Sequence, residues 1–252
     1  MTLAGQHAFV TGGGRGIGRA IAAALARAGA AVTVIGRSEA PLRETVAAGE
    51  AAGCGVADVT DMVEVKRQVT AAQAARGPIA ILINNAGSVE TGPFIKTDPS
   101  VFRTMWNVHL MGAVYATQAV LPGMIERGFG RIVNVASTAG LKGYAYISAY
   151  CAAKHALVGL TRALAAETAA RGVTVNAVCP GYTDTDLVRD SIERVAAKTG
   201  RAQADVLAEY AKDAPIGRLI RPEEVAAAVV YLCSPEAAAV TGTTLAIAGG
   251  EM

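Results

Sequence analysis

The stretch VTGGGRGIGRA, residues 10–20, determines how the rest of the chain is interpreted. Its glycines stand between a short apolar run and a run of helix-forming residues. Glycines at such a junction permit a tight turn and a close approach of the backbone to a phosphate, which the free N–H groups of the next helix attract. The spacing Gly12-x-x-x-Gly16-x-Gly18 differs from the general GxGxxG fingerprint. Alone, the stretch therefore indicates only a glycine-rich turn suited to a phosphate.

Short β-branched or apolar runs alternate with longer helix-prone runs on both sides of this turn. Such alternation predicts right-handed crossovers and a parallel sheet covered on both faces. We therefore expect an α/β, single-domain, Rossmann-type doubly wound fold over residues 1–252, with a seven-stranded parallel sheet. The predicted strands are 7–10, 31–35, 54–58, 79–84, 130–137, 173–179 and 244–248. The predicted helices are 16–28, 39–50, 62–76, 99–127, 150–171 and 222–233.

The segment 182–221 is charged and helix-prone, and it lies between the sixth predicted strand and the last helix. Ligands of such sheets bind outside the carboxyl ends of the strands, so this insert is placed to cover a substrate. Its cations suit a phosphate-bearing carrier, but acidic residues nearby make a solvated helical surface an equal alternative. The cations are Arg189, Arg194, Lys198, Arg201 and Lys212.

Composition excludes several functional classes. The net charge of +2 provides no basic field of the kind that nucleic-acid binding requires. The cysteines Cys54, Cys151, Cys179 and Cys233 show no CxxC or metal-ligand spacing, which is typical of reduced thiols and gives no metal site. With no leader and no apolar run near the ~20 residues that span a bilayer, we expect a cytoplasmic protein without a membrane partner.

Further motifs follow the glycine turn in a fixed order, and together they carry a family resemblance. They are ADV (57–59), NNAG (84–87), Ser137, YxxxK from Tyr150 to Lys154, and PGYTDT (180–185). With TGxxxGxG, this series resembles the short-chain dehydrogenase/reductase family nearly end to end. The resemblance implies an NAD(P)-dependent oxidoreductase that interconverts a secondary alcohol and a ketone by hydride transfer.

The resemblance also assigns cofactor contacts. The NNAG segment would support the cofactor from below, Asp58 and Val59 would hold the adenine, and Thr183 and Thr185 would bind the nicotinamide carboxamide. The full implied set is Gly12, Arg15, Gly16, Ile17, Gly18, Arg37, Ser38, Asp58, Val59, Asn85, Ala86, Gly87, Tyr150, Lys154, Pro180, Gly181, Thr183 and Thr185.

Ser137, Tyr150 and Lys154 match the catalytic residues of the family. Hydride transfer to a carbonyl needs a proton at the oxygen, but a tyrosine with a pKa near 10 is a poor base at neutral pH. Lys154 lies four residues after Tyr150 on a predicted helix, so both side chains share one face. A cation ~4 Å away is worth roughly 4 kcal/mol, enough to lower the pKa of Tyr150 by about 3. Ser137 would donate a hydrogen bond to the substrate oxygen.

His109 occupies the position at which relatives place a fourth catalytic residue, an asparagine. Relatives read VNLxG where this chain has VHLMG, residues 108–112. In relatives this position kinks the helix, and its backbone carbonyl holds a water that connects to the lysine. His109 would keep this relay through its backbone, which we favour, or add a titrating imidazole to it. The third alternative is a structural position in an altered site.

The end of the second strand bears on the choice of cofactor. Gly36 stands where NAD-type members carry aspartate, and Arg37 and Ser38 follow it. With Arg15 in the glycine turn, these residues favour the extra phosphate of NADP(H). NAD(H) remains the alternative, with Arg37 solvated and Glu39 bound to the ribose.

The substrate class follows from resemblance to members that act on 3-oxoacyl and 3-hydroxyacyl groups bound to coenzyme A or a carrier protein. Free hydroxybutyrate is disfavoured, because Ala139 and Ile147 replace the histidine and lysine of enzymes for that acid. Tyr144 and Tyr146, with Tyr182, suggest a pocket for an apolar or ring-bearing acyl group, with packing or interface filling as an equal alternative.

Two further expectations concern partners and the competing functional class. The resemblance implies a homotetramer. A non-catalytic nucleotide-binding partner or sensor with the same fold is the alternative function, although such chains typically lose the tyrosine or lysine that stand here.

Overall fold

A computed structural model describes residues 2–212 and 214–252 of the chain. Its strands form one seven-stranded parallel sheet in the order β3-β2-β1-β4-β5-β6-β7. The strands are β1 His7–Thr11, β2 Ala31–Gly36, β3 Gly53–Val56, β4 Ile79–Asn84, β5 Gly130–Val135, β6 Val173–Pro180 and β7 Thr244–Ile247. The expected fold class, with its Rossmann-type sheet, is confirmed.

Helices cover both faces of this sheet. They are α1 Gly16–Arg27, α2 Glu39–Ala47, α3 Met62–Arg76, α4 Pro99–Trp106, α5 Gly112–Glu126, α6 Ser148–Thr168, α7 Asp186–Thr199, α8 Gln203–Lys212 and α9 Pro222–Cys233. α1 and α9 pack with one core cluster, whereas α3 and α5 pack with a second. The sheet therefore forms the middle of three layers.

The two cores arise from the alternation of side chains along each strand. In β1, Ala8 and Val10 join the cluster under α1 and α9, while Phe9 points to the opposite cluster. In β4, Ile83 and Leu82 divide in the same way. Because both faces are buried, every residue of β1, β4 and β5 is buried, as expected for a central parallel strand.

The predicted elements differ from the observed ones mainly at their ends. The predicted strand 130–137 ends at Val135, because Ser137 caps a short 3₁₀ turn by accepting a hydrogen bond from the Ala139 backbone N–H at 3.1 Å. The predicted helix 99–127 is divided by a π-helical turn, Asn107–Met111, in which the N–H of Gly112 donates to the carbonyl of Asn107. Such turns occur often at functional sites.

The stretch Pro99–Glu126 is long and apolar enough to cross a membrane by length and composition, and 44% of its most apolar window is buried inside the fold. From the sequence we expected no apolar run long enough to cross a membrane, and this stretch of 28 residues is longer than expected. Ala116, Val120 and Met124 of α5 pack with the second core cluster. That arrangement is typical of a core helix in a globular domain.

The insert 182–221 contains α7 and α8, which pack against each other around a small apolar cluster. Val188, Ile192 and Ala196 of α7 meet Val206 of α8 there. α7 begins directly after the carboxyl end of β6, so its first turn lies at the edge where the strands end.

Gly18 of α1 packs directly on the glycine turn. An added Cβ there would overlap the carbonyl oxygen of Gly12 and the Nδ2 of Asn85. Gly159, on α6, provides the contrast: an added Cβ at this glycine would have no atom within 4 Å.

We expect Gly18→Ala to lower the free energy of unfolding by roughly 1–3 kcal/mol, because the turn or α1 must move to admit the methyl group. The matched change Gly159→Ala should be neutral or stabilising by up to about 1 kcal/mol. Urea unfolding followed by circular dichroism measures both. Equal stability of the two variants would contradict this packing.

Candidate active site

The site lies where the order of the strands reverses: β2 and β3 are added on one side of β1, and β4 is added on the other side. β1 lies between β2 and β4, and the crevice outside the carboxyl ends of β1 and β4 is the position at which doubly wound folds bind ligands. Asn85 holds the two ends together, since its Nδ2 donates to the carbonyl oxygens of Thr11 at 3.0 Å and Gly12 at 3.1 Å. The Thr11 hydroxyl accepts the N–H groups of Asn85 and Ala86, both at 3.0 Å.

The glycine turn forms a cradle that side chains would fill. Gly12 has φ of +68°, and an added Cβ would lie 2.9 Å from the Cα of Ala86. At Gly16 an added Cβ would approach Thr185 at 3.1 Å, so the turn faces the segment after β6. With the N-terminus of α1 behind it, this cradle fits the pyrophosphate of a dinucleotide.

A cleft of about 470 Å³ extends from the cradle and brings most of the predicted cofactor residues together. Those that line it are Gly12, Arg15, Gly16, Ile17, Gly18, Arg37, Ser38, Asp58, Val59, Asn85, Ala86, Gly87, Tyr150, Lys154 and Thr185, together with His109. Pro180, Gly181 and Thr183 are outside this lining and form the turn that leads from β6 to Thr185. A hydrogen bond of 3.0 Å from the Thr183 hydroxyl to the carbonyl of Gly181 shapes that turn.

The cleft also contains residues that the sequence did not reveal. Leu187 and Asp190 of α7 line it, and α7 could be recognised from the sequence only as a helix-prone insert. Ser88 is a second case, since its carbonyl oxygen lies 2.7 Å from the Nε2 of His109. The sequence pattern could not predict this contact, because a backbone carbonyl and not a side chain makes it.

The end of β2 presents cations and no acidic side chain at the ribose position. Arg37 and Ser38 are exposed beside the cleft. Glu39, the alternative ribose ligand, is held by an ion pair of 2.6 Å with Arg43. At Gly36 an added Cβ would make only ordinary contact with Leu42 at 3.6 Å, so packing does not exclude a side chain there.

The catalytic residues of the family resemblance are adjacent here. Tyr150 and Lys154 lie one turn apart on α6, and the Lys154 Nζ lies over the Tyr150 ring, 5.5 Å from its centroid. The ammonium group, buried with its side chain, donates to the carbonyl of Val135 at 2.7 Å. Ser137 follows the end of β5 and hydrogen bonds with Tyr150.

Burial dominates the protonation of this pair. It raises the pKa of Tyr150 to about 12, although the hydrogen bond with Ser137 acts in the opposite direction. It lowers the pKa of Lys154 to about 7. The expected lowering of the Tyr150 pKa is therefore wrong for this structure, because lost hydration outweighs the hydrogen bond with Ser137 that favours the tyrosinate.

His109 lies inside the π-helical turn and packs edge-to-face on Tyr150, with ring centroids 5.1 Å apart. Its side chain is buried, and its Nδ1 has no hydrogen-bond partner among the described residues. Burial and then the positive charge of Lys154 lower the pKa of His109 to about 3. The imidazole is therefore neutral near pH 7, which disfavours the titrating alternative.

A small cavity of about 10 Å³ separates the π-helical turn from Lys154. Thr11, Asn84, His109 and Lys154 contribute polar groups to its lining. Its volume matches the space that the centre of one water needs. The cavity lies between residues that the resemblance assigns to the relay, and the relay through the backbone of His109 stays a prediction.

Tyr144 and Tyr182 lie together beyond the catalytic residues. Their rings meet edge-to-face with centroids 6.4 Å apart, and Tyr182 stacks on Tyr210 of α8 at 4.4 Å. The two predicted substrate residues therefore form one aromatic wall with the insert. Among residues 2–212 and 214–252, no three His, Cys, Asp or Glu side chains are grouped as a metal site would require.

Comparisons with known proteins agree with this geometry. The sequence model described as short chain dehydrogenase matches residues 6–196. The chain is 42% identical over 247 residues to 2-(S)-hydroxypropyl-CoM dehydrogenase 3 of Xanthobacter autotrophicus, covering 96% of this chain and 94% of the relative. It is 39% identical over 252 residues to acetoacetyl-CoA reductase of Shinella zoogloeoides, with 97% of each chain covered.

A solved structure extends the likeness to three dimensions. A variant of actinorhodin polyketide ketoreductase with NADPH superimposes with a TM-score of 0.94 at 37% identity, covering 98% of this chain and 97% of the other. The family match covers well over half of the chain, and the cleft brings together most of the residues that the resemblance assigns to the cofactor. The chain belongs to the short-chain dehydrogenase/reductase family and is an NAD(P)-dependent oxidoreductase.

Proposed function

We propose that this protein interconverts 3-oxoacyl and 3-hydroxyacyl thioesters with NADP(H). The observation that carries the proposal is the placement of Ser137, Tyr150 and Lys154 beside a cleft whose far end presents Arg37. The carrier is coenzyme A or an acyl carrier protein.

Each catalytic residue has a role that follows from its position. NADPH supplies the hydride for reduction, and NADP⁺ accepts it in the reverse direction. Tyr150, whose pKa of about 12 keeps it protonated near pH 7, donates its proton to the substrate oxygen during reduction. Ser137 donates a hydrogen bond to the same oxygen as negative charge develops there. In its protonated form, which burial disfavours by lowering the Lys154 pKa to about 7, the Lys154 ammonium stabilises the tyrosinate left behind.

The case for NADP(H) rests on charge at the end of β2. An NAD-type site needs an acid at the ribose diol, whereas a basic residue suits the extra phosphate. Gly36 leaves the acid position empty of any side chain, and Glu39 is paired with Arg43. Arg15 and Arg37 both line the cleft and supply the positive charge.

Support for a thioester comes from the relatives and from the aromatic wall. One relative is named acetoacetyl-CoA reductase, whose named substrate is a thioester, and the structural neighbour is a polyketide ketoreductase. The relative named 2-(S)-hydroxypropyl-CoM dehydrogenase is named for a thioether conjugate, so it supports a secondary alcohol on a sulfur-linked carrier and not a thioester in particular. The wall of Tyr144, Tyr182 and Tyr210 suits an apolar or aromatic acyl group. Arg189 and Arg201 are paired with Asp184 and Glu209, so these two cations favour the solvated-surface alternative.

The alternative, a non-catalytic nucleotide-binding partner or sensor, lacks support from the site. Tyr150 and Lys154 are both present and packed together. We further propose a cytoplasmic homotetramer. Exposed apolar side chains on and beside α4, Phe94, Ile95 and Trp106, give the chain a surface that association would cover.

We expect 3-oxoacyl thioesters to oxidise NADPH in an absorbance assay with acetoacetyl-coenzyme A and longer or aryl-bearing 3-oxoacyl analogues. Tyr150→Phe should reduce kcat by about 10²–10⁴-fold, because it removes only the acidic proton. The fold and NADPH affinity of that variant, measured by unfolding and by nucleotide fluorescence, serve as its control. Binding of NADPH without turnover of any thioester or simple ketone would support the sensor alternative instead.

We expect the combined change Gly36→Asp with Arg37→Ala to reverse cofactor preference. The ratio of kcat/KM for NADPH over NADH should fall by roughly 10²-fold or more, since Arg37→Ala removes a charge-assisted contact and Gly36→Asp adds a carboxylate that repels the extra phosphate. Glu39→Gln is the matched control, because its carboxylate is already paired with Arg43. A larger loss with NADH from Glu39→Gln than from the combined change would reverse the assignment.

We expect His109→Asn to remain active with similar cofactor affinity, because the relay uses the backbone. The pH–rate profiles of both proteins should coincide between about pH 5 and 9, since an imidazole with a pKa of about 3 binds no proton there. Stopped-flow rates across this range provide the measurement. Loss of all turnover in a folded variant, or loss of an inflection near neutral pH, would assign a role to the ring.

A further inference from the structure

The carboxylate of Glu251 is buried beside Tyr144, which the proposed function assigns to the wall of the acyl pocket. Its side chain is only 2% exposed, although it is the second-last residue of the chain. Oε1 contacts the Tyr144 hydroxyl and lies 3.1 Å from the Nζ of Lys142. Oε2 is buried and has no hydrogen-bond partner among the described residues. An acid buried with one oxygen left unpaired is costly, so its position calls for a role.

Three strand ends converge on this carboxylate. Glu251 follows β7, and its N–H donates to the carbonyl of Ala248 at 3.1 Å. The Tyr144 hydroxyl lies 2.7 Å from the hydroxyl of Thr138, the residue after Ser137 at the end of β5. An added Cβ at Gly181, just beyond β6, would lie 2.8 Å from the free Oε2. The charge therefore stands between the segment of the catalytic serine and the turn that leads to Thr183.

The Tyr144 hydroxyl donates its hydrogen bond to this carboxylate. A carboxylate only accepts hydrogen bonds, so the tyrosine donates its single proton to Glu251 and accepts one from the Thr138 hydroxyl. Burial and the contact with Glu251 both raise the pKa of Tyr144. Tyr144 thus stays protonated, has no proton to offer a substrate, and keeps its oxygen pointed at the acid.

Charge on the two sides of Glu251 is unequal. Lys142, the cation beside Oε1, is 40% exposed, so solvent screens it. Oε2 has no such counter-charge within hydrogen-bond reach among the described residues. Glu251 therefore adds a negative charge beside Tyr144 that Lys142 offsets only in part, and such a charge repels an anion most strongly where water is excluded.

We propose that Glu251 is a specificity-determining residue. It excludes substrates in which a free carboxylate is separated by one carbon from the reacting carbonyl. It selects the neutral esters and thioesters of 3-oxo acids against the 3-oxo acids themselves. This inference rests on the proposed function and refines its substrate class. Discrimination of this kind needs only a repulsive group placed against the wrong substrate.

The test compares ethyl 3-oxobutanoate with 3-oxobutanoate, which share their reacting carbonyl and differ by one negative charge. The full-length enzyme is assayed with NADPH near pH 7, and the ratio of kcat/KM for ester over acid is the readout. Glu251→Gln keeps the shape and an oxygen acceptor for Tyr144, and removes the charge. Lys142→Met removes the offsetting cation. Glu126→Gln, at the exposed end of α5, controls for net charge.

We expect Glu251→Gln to lower the ratio at least tenfold, mainly through a lower KM for the acid, with the kcat/KM for the ester within about threefold of the parent. Lys142→Met should raise the ratio, and Glu126→Gln should leave it unchanged. Shifts of opposite sign separate a charge effect from a general loss of structure, which would move both ratios in one direction.

Two outcomes would overturn the inference, and they are distinguishable from failure of the proposed function. Turnover of the ester with an unchanged ratio in Glu251→Gln, or shifts of the same sign in both variants, would refute the role of Glu251 alone. Absence of turnover of any 3-oxo ester or thioester by the parent protein would refute the proposed function and this refinement with it.

Discussion

The amide of Asn85 joins the ends of β1 and β4 by donating to the carbonyls of Thr11 and Gly12. These strands are neighbours in the sheet although more than sixty residues separate them in the chain, so this one side chain fixes both sides of the crevice. An added Cβ at Gly12, which has a positive φ, would lie 2.9 Å from the Cα of Ala86, so the two strand ends are closely packed as well as hydrogen bonded. The cradle and the adjoining side of the cleft are built on this contact.

The chemistry of the site depends on a balance between burial and charge. A pairwise calculation with one cation near Tyr150 predicts a lower pKa, whereas the structure raises it to about 12. Lys154 is affected in the corresponding way, with a pKa lowered to about 7. Burial therefore favours the neutral tyrosine and the neutral lysine. Moving a proton from Tyr150 to Lys154 would create two opposite charges in a site that holds little water. The polar groups around the small cavity beside Lys154 offer a short path for that proton.

The sequence predicted the sheet and the cradle because both depend on local patterns. Alternating apolar runs predict parallel strands, and Gly12, Gly16 and Gly18 predict a turn with no room for side chains. The proposed catalytic pair, Tyr150 and Lys154, could be predicted from its spacing, because residues four apart on a helix lie side by side. The functional residues found by pattern are those whose roles depend on neighbours in sequence.

Features created by distant parts of the chain escaped prediction. The carbonyl of Ser88 beside His109 and the cleft-lining face of α7 both depend on tertiary contacts. The protonation states were mispredicted for the same reason, since burial is a property of the fold and not of the spacing between two residues.

Glu251 shows how such a contact can determine chemistry. In the sequence it is an unremarked acid near the C-terminus, where charged residues are ordinarily solvated. In the fold, β7 lies beside β6 and β6 beside β5, so the chain after β7 is delivered to the segment that follows Ser137. Its partners Tyr144 and Lys142 come from the stretch between Ser137 and Tyr150, so the sheet order brings Glu251 against that stretch. The proposed selectivity of Glu251 depends on this contact between segments that are far apart in sequence.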